Sequence, residues 1–314
     1  LKLGVAFGWH SLCFEALLEL TQHAEALGYD VAFVDGDVSV IPSLGEADLL
    51  DGHTVTTELL ARTQRIEVTS LRIIHHWNAA RLAQTLATLW RLHPKRVRLF
   101  VSIGGQAGDR AFGLPCRSPG ERIHWLDEAL EAIRALWRGE SVVRKGRFVE
   151  LGGARVRPAP GSAIPIHVAG RGRRLLDVVA RHADAWDVNL PAVVGLVTAA
   201  ISDLERACGG VGRDPGGVSR SLWIFARPGD DPEDPNIHEG FERLNPWFRN
   251  LSEADRAEAI VAGSPAECRA RIRSFAEQMG LDLPVLDLSG LDAPRAAAAL
   301  EALAPRKTFI DSDS

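Results

Sequence analysis

The strongest constraint on this chain is a rhythm. Short runs of mostly apolar residues recur at KLGVAF (2–7), VAFVD (31–35), IEVTSL (66–71), VRLFVSI (97–103), PIHVAG (165–170), DAWDVN (184–189), SRSLWIFA (219–226) and LPVLDLS (283–289). Between them lie longer segments whose apolar residues fall three and four apart. The first of these, FEALLELTQHAEALG (14–28), sets Phe14, Leu17, Leu18, Leu20, Ala24 and Leu27 at helical spacing and ends on Gly28, a left-handed stop. Further helices are predicted near Val55–Arg62 and over 79–92, 120–139, 173–182, 193–207 and 293–303. Apolar strands separated by helices belong to a parallel sheet covered on both faces. Eight of them in one chain predict an α/β fold, a single closed (β/α)8 TIM barrel. An open doubly wound sheet is the structural alternative, but it usually needs fewer strands.

Two segments interrupt the rhythm. Residues 140–164 read as a hairpin or irregular excursion before strand five. Residues 228–264 form a longer polar excursion between strands seven and eight, and long loops in compact domains tend to be functional. Within it Phe241, Leu244, Trp247, Phe248 and Leu251 predict one short amphipathic helix. That helix is expected to cover the barrel mouth, between loops that move when no ligand is bound. No linker divides the chain, so residues 1–304 are expected to form one domain and 305–314 a loose tail.

Composition narrows the function. A hydrophobic fraction of 46% excludes disorder, and 36 basic against 41 acidic side chains (net −5) argues against nucleic-acid binding. No apolar run reaches about 18 residues, so no membrane span is expected. The first residues lack the pattern of a secretory signal. Cys13, Cys116, Cys208 and Cys268 form no CxxC pair, which predicts reduced thiols in a cytoplasmic protein. The adjacent pair His75-His76 offers too few ligands for a metal, so none is expected and a structural role is preferred.

Three stretches carry a resemblance to a known family: AEALGYDVAFVDGD (24–37), RAFGLPCRSPGERIHWLDEALEAIRALWRGESVVRKGRFVEL (110–151) and PIHVAGRGRRLLDVVARHADAWDVN (165–189). In the second, FGLP, GER, a helix ending LWRGE and a Gly-Arg-aromatic turn follow in order. The chain resembles the bacterial luciferase-like superfamily of flavin- or deazaflavin-dependent TIM-barrel oxidoreductases over roughly residues 1–304. The resemblance implies a cofactor, reduced FMN or coenzyme F420, at the C-terminal ends of the strands.

The loops there supply candidate residues. After strand five, Ala169, Gly170, Arg171, Gly172 and Arg173 combine a tight glycine turn with a helix start and cationic side chains, a setting for phosphate. After strand four, Ser102, Gly104, Gly105 and Gln106 allow close backbone approach and polar contact with the cofactor. After strand three stands Ser70, where family members often carry a non-proline cis peptide beneath the flavin ring. Many relatives have an acid/base histidine after strand two. Here Asp37 matches that position, and His10 from the neighbouring loop is the better proton-transfer candidate, since an imidazole titrates near neutral pH unaided.

The resemblance leaves three functions open. The leading expectation is a flavin-dependent monooxygenase acting on a small organic substrate with reduced flavin and dioxygen. The second is F420-dependent hydride transfer without oxygen. The third is a barrel that binds flavin without catalysis. A separate flavin reductase and a homodimer are the protein partners considered.

Overall fold

The structure is a computed structural model that describes residues 1–8, 12–36, 45, 48–105, 108–248 and 250–309. In chain order the elements begin with β1 (Gly4–Ala6), α1 (Phe14–Leu27), β2 (Val31–Val34), α2 (Gly52–Ala61), β3 (Glu67–Ile73), α3 (Ala79–Leu92), β4 (Leu99–Ser102) and α4 (Pro119–Trp137). The hairpin β5 (Val142–Lys145) and β6 (Glu150–Ala154) follows, then β7 (Ile166–Ala169), α5 (Arg173–His182), β8 (Ala185–Asp187), α6 (Val194–Gly210) and β9 (Ser219–Pro228). The chain continues through α7 (Pro235–Leu244), α8 (Glu253–Ala259), β10 (Ile260–Gly263), α9 (Pro265–Gln278), β11 (Leu283–Asp287), α10 (Ala293–Ala302) and α11 (Pro305–Phe309).

Local chemistry sets the helix ends. Gly28 stops α1 at φ 90°, its amide bonded to the carbonyls of Ala24 and Glu25. Ser118 and Glu121 form a reciprocal capping box at the start of α4 with Pro119 in the first turn, and Ser264, Glu267 and Pro265 repeat the device on α9.

Parallel pairing runs β1–β2–β3–β4–β7–β8–β9–β11 and returns to β1. Gly4 lies opposite both Val31 of β2 and Val285 of β11, which closes the ring. The fold is therefore the expected eight-stranded TIM barrel. Side chains alternate inward and outward along each strand. The lumen is filled by Ala6, Val31, Phe33, Phe100, Ala169, Leu283 and Val285, with Leu71 and Trp223 against them. Phe33 and Phe100 meet edge to face, ring centres 5.1 Å apart. A second, larger core lies between the barrel and its helices.

The first excursion is the antiparallel hairpin β5–β6, as read. The second is more structured than one short helix. It contains α7, α8 and β10, and among the described residues β10 pairs with the C-terminal end of β9 alone, from Ile260↔Phe225 to Gly263↔Pro228. Helix α7 ends at Leu244, so Trp247, Phe248 and Leu251 follow it rather than extend it. Phe241 and Leu244 are buried beside Phe225, Val193 and Ile260. Helix α9 was not anticipated, because its charged outer face blurs the apolar period. The expected tail begins instead as α11, where Thr308 is fully buried and its carbonyl accepts from Arg273 at 2.9 Å.

Candidate active site at the barrel mouth

The strand C-termini bring several of the candidate residues to one end of the barrel. At the end of β7, Gly170 and Gly172 adopt φ 137° and 92°. These angles favour glycine. The Gly170 amide bonds the Asp187 carbonyl at 3.2 Å, tying the turn to β8. Gly172 is the N-cap of α5 and no side chain caps it. The Leu175 and Leu176 amides donate to the Gly172 carbonyl at 2.9 and 3.1 Å, which leaves the Arg173 and Arg174 amides without an intrahelical partner. A Cβ built on Gly172 would meet nothing within 4 Å, so the cradle is open. Arg171 and Arg173 are exposed beside it, and Ala169 faces the lumen. Arg174 lies against the start of α4, its guanidinium 2.7 Å from where a Cβ on Gly120 would stand. Unpaired amides, a helix N-terminus and flexible cations fit a phosphate.

The loop after β4 is the second wall. Ser102 accepts the Gly104 amide at 3.1 Å. Gly104 has φ 56° and sits against Ile73, so a side chain there would strike Ile73. Arg122, the arginine of the GER motif, reaches over from α4. One of its nitrogens donates to Ile103 at 2.5 Å, to Gly105 at 3.3 Å and also to the Gly104 carbonyl. Sequence reasoning quoted this motif without giving Arg122 a role.

The structure also joins three residues that were not grouped. After β3 a 3-10 turn carries His75 and His76. Both rings meet one carboxylate, His75 Nε2 to Asp109 Oδ2 at 2.7 Å and His76 Nε2 to Asp109 Oδ1 at 2.8 Å. Burial pulls the Asp109 carboxyl up, but the two histidine bonds outweigh it and hold it below the ordinary range. Burial keeps His75 neutral at ordinary pH, its Asp109 bond notwithstanding. The potential ligand atoms lie within 4.8 Å of one another. The separations are those of hydrogen bonds, and the Arg122 cation lies near enough to act on both His75 and Asp109. The arrangement ties the β3 and β4 loops together. Beside it a cavity of about 260 Å³ is lined by His75, His76, Trp77, Trp125, Phe148 and Glu150 among others.

Ser70 is buried with its hydroxyl unpartnered, and its neighbour Leu71 packs into the lumen. By strand alternation the Ser70 side chain points toward the helices, leaving only its backbone near the mouth. Among the described residues the one cis peptide is Arg157–Pro158, so none is seen in β3. His10, Asp37 and Gln106 lie outside the described residues. The second excursion reaches the glycine turn before α5, where Arg171 donates to the Trp247 carbonyl at 3.3 Å and its guanidinium lies 5.8 Å from the Phe248 ring centre.

Fold and mouth together define a TIM barrel whose candidate residues gather at the C-terminal ends of its strands. Residues 12–237 match the model of the luciferase-like monooxygenase family, and the chain belongs to that family. Among curated proteins it is 30% identical over 178 residues to an F420-dependent glucose-6-phosphate dehydrogenase of Nocardia farcinica, covering 55% of this chain and 53% of that one. Matches to the first such relatives span little more than half their length, 53–56%. Among solved structures, an F420-dependent secondary alcohol dehydrogenase in complex with an F420-acetone adduct superposes with a TM-score of 0.84 at 20% identity, over 98% of both chains. EDTA monooxygenase from Chelativorans sp. BNC1 gives 0.80 at 14% identity, over 98% of this chain and 93% of that one. At these identities the two structures speak to the fold. No helix among the described residues is long and apolar enough to cross a membrane.

Proposed function

We propose that the protein is an F420-dependent oxidoreductase that moves a hydride to or from a small organic substrate. The observation that carries this reading is the kinship with F420-dependent dehydrogenases, at 30% and 32% identity over 178 and 192 residues. This reverses the order expected from the sequence, where reduced flavin with dioxygen came first.

The mouth suits such a cofactor. The open amides at the start of α5 would take its phosphate. Arg171, Arg173, Arg174 and Arg117, all exposed around the α4 and α5 starts, would meet a longer anionic tail. Ser102 and the loop gripped by Arg122 would border its ring system, and the second excursion would shield the mouth from water. When bound, the cofactor supplies the hydride chemistry. The four free cysteines, two of them exposed, accord with a reducing cytoplasm.

A second reading, reduced FMN with dioxygen and a separate reductase, is favoured by the family's own description as monooxygenase. Fluorescence titration of the purified protein with F420 and with FMN separates the two. F420 is expected to bind at least about tenfold more tightly. Gly172→Asp should abolish that binding while Gly172→Asn, with the same backbone strain and no charge, retains most of it. Tighter binding of FMN would reverse the assignment.

A further inference from the structure

A line of polar side chains crosses the barrel lumen. It begins at Glu67 at the start of β3, whose carboxylate holds Arg98 through two bonds, that to Nη2 at 2.6 Å. Arg98 Nη1 approaches His167 Nδ1 at 3.2 Å. His167 Nε2 lies 3.0 Å from Ser221 Oγ, and Ser221 Oγ lies 2.7 Å from Asp187 Oδ2. The line ends there, at the last residue of β8. Asn189, at φ 52°, donates its amide to Asp187 Oδ1 at 3.1 Å.

The chemistry of the donors fixes every hydrogen. A guanidinium has no acceptor, so His167 Nδ1 must accept from Arg98. The ring proton then sits on Nε2 and donates to Ser221 Oγ. The hydroxyl in turn has only Asp187 to donate to along the line. His167 is fully buried, and burial with the Arg98 cation keeps it neutral. Every bond is thus oriented toward Asp187, and the order cannot reverse without breaking the Arg98 contact. A proton on Asp187 cannot move down the barrel.

We propose that Asp187 is the proton-holding group of the barrel mouth, with Arg98, His167 and Ser221 as positioning residues that confine its proton exchange to the mouth side. Its place supports this. Asp187 is 3% exposed and its carbonyl holds the phosphate turn through Gly170. The groups facing it are Ser221 from β9, His167 from β7 and, beyond them, the Arg98–Glu67 pair from β4 and β3; among the described residues no cation touches the carboxylate directly. Burial pushes Asp187 up to about 7, against the opposing Ser221 and Asn189 bonds. The group can therefore be charged or neutral at working pH. A hydride transfer that oxidises an alcohol also releases its hydroxyl proton. The substrate's O–H bond would break as its proton forms a carboxyl O–H on ionised Asp187, its C–H bond would break as the C=O forms, and bound cofactor would supply the hydride acceptor. This role rests on the oxidoreductase reading, while the titration of Asp187 does not.

Infrared difference spectroscopy of the cofactor-free protein, between about pH 5 and about pH 9, follows the carbonyl stretch of a protonated buried carboxyl. The wild type should show such a band with a midpoint near neutrality, and Asp187→Asn should lack it. Ser221→Ala removes only a hydroxyl and should raise the midpoint by about one unit. It keeps the test open should Asp187→Asn fail to fold. A band that survives in Asp187→Asn, no band at all, or a midpoint unmoved by Ser221→Ala overturns the proposal. A second arm repeats the titration with F420 bound. A shifted midpoint supports the mouth position, and an unshifted one with F420 demonstrably bound contradicts it. Failure of F420 to bind counts against the cofactor reading and leaves the cofactor-free titration to decide on Asp187.

Discussion

Single residues hold the mouth loops in place. Arg122 is mostly buried and donates to three successive carbonyls, 103 to 105. Arg122→Ala is expected to cost about 1–3 kcal/mol in denaturant unfolding and to loosen the loop after β4, because three part-buried or exposed loop carbonyls lose a charged donor. Asp109 predicts an acid effect. Its folded pKa lies below the ordinary value, so its contribution is complete above the unfolded pKa and is lost as pH falls through the folded one. Asp109→Asn should therefore be less stable at neutral pH and show a shallower loss of stability below about pH 4, read from melts across pH. The glycine turn before α5 was legible because glycines before a helix leave a mark in one stretch of sequence. Arg122, Asp109 and Asp187 were not. Their partners stand 17 to 19, 33 to 34 and 34 residues away, and no local spacing announces such contacts.

At the level of elements, repeated period carried most of the fold. The eight barrel strands start within two residues of their expected positions, since fully buried parallel strands are unbroken apolar runs. The second excursion was read poorly. Its helices are short, and β10 is a four-residue strand at the end of a charged segment. The hairpin shows how an excursion is fastened. Glu128 of α4 accepts the amides of Arg147, Phe148 and Val149 at 2.9–3.0 Å, while Trp125 stacks on Phe148 with ring centres 5.3 Å apart. Glu128→Ala leaves those amides without an acceptor and is expected to cost about 1–3 kcal/mol. Hydrogen exchange should speed up at residues 147–149 while β4 amides stay protected.

Across the whole molecule, barrel closure surrounds charge with apolar side chains. The Glu67–Arg98 pair is well shielded inside the barrel, so Glu67→Leu alone strands a cation and should cost about 3–5 kcal/mol, whereas Glu67→Leu with Arg98→Leu should recover much of that. Asp187 acts in the opposite sense to Asp109. Its folded pKa of about 7 lies well above the ordinary aspartate range, so the folded chain holds the proton more tightly. Stability from this group is full at low pH and declines as pH rises through about 7. Wild type and Asp187→Asn, melted at mildly acid and mildly alkaline pH, should differ by a few kcal/mol in that dependence, the variant being the flatter.

One detail of the second excursion bears on how this scaffold can be altered. The Gly229 amide bonds the Gly263 carbonyl at 2.7 Å, and the Gly263 amide bonds the Asp230 carbonyl at 2.8 Å. The segment thus leaves and re-enters the barrel wall at nearly the same point, like a drawer whose two runners meet. Its contents can be exchanged for segments of other lengths without moving the ring of strands. A library built between those two glycines would remodel what the mouth admits while the chemistry beneath it stays where it is.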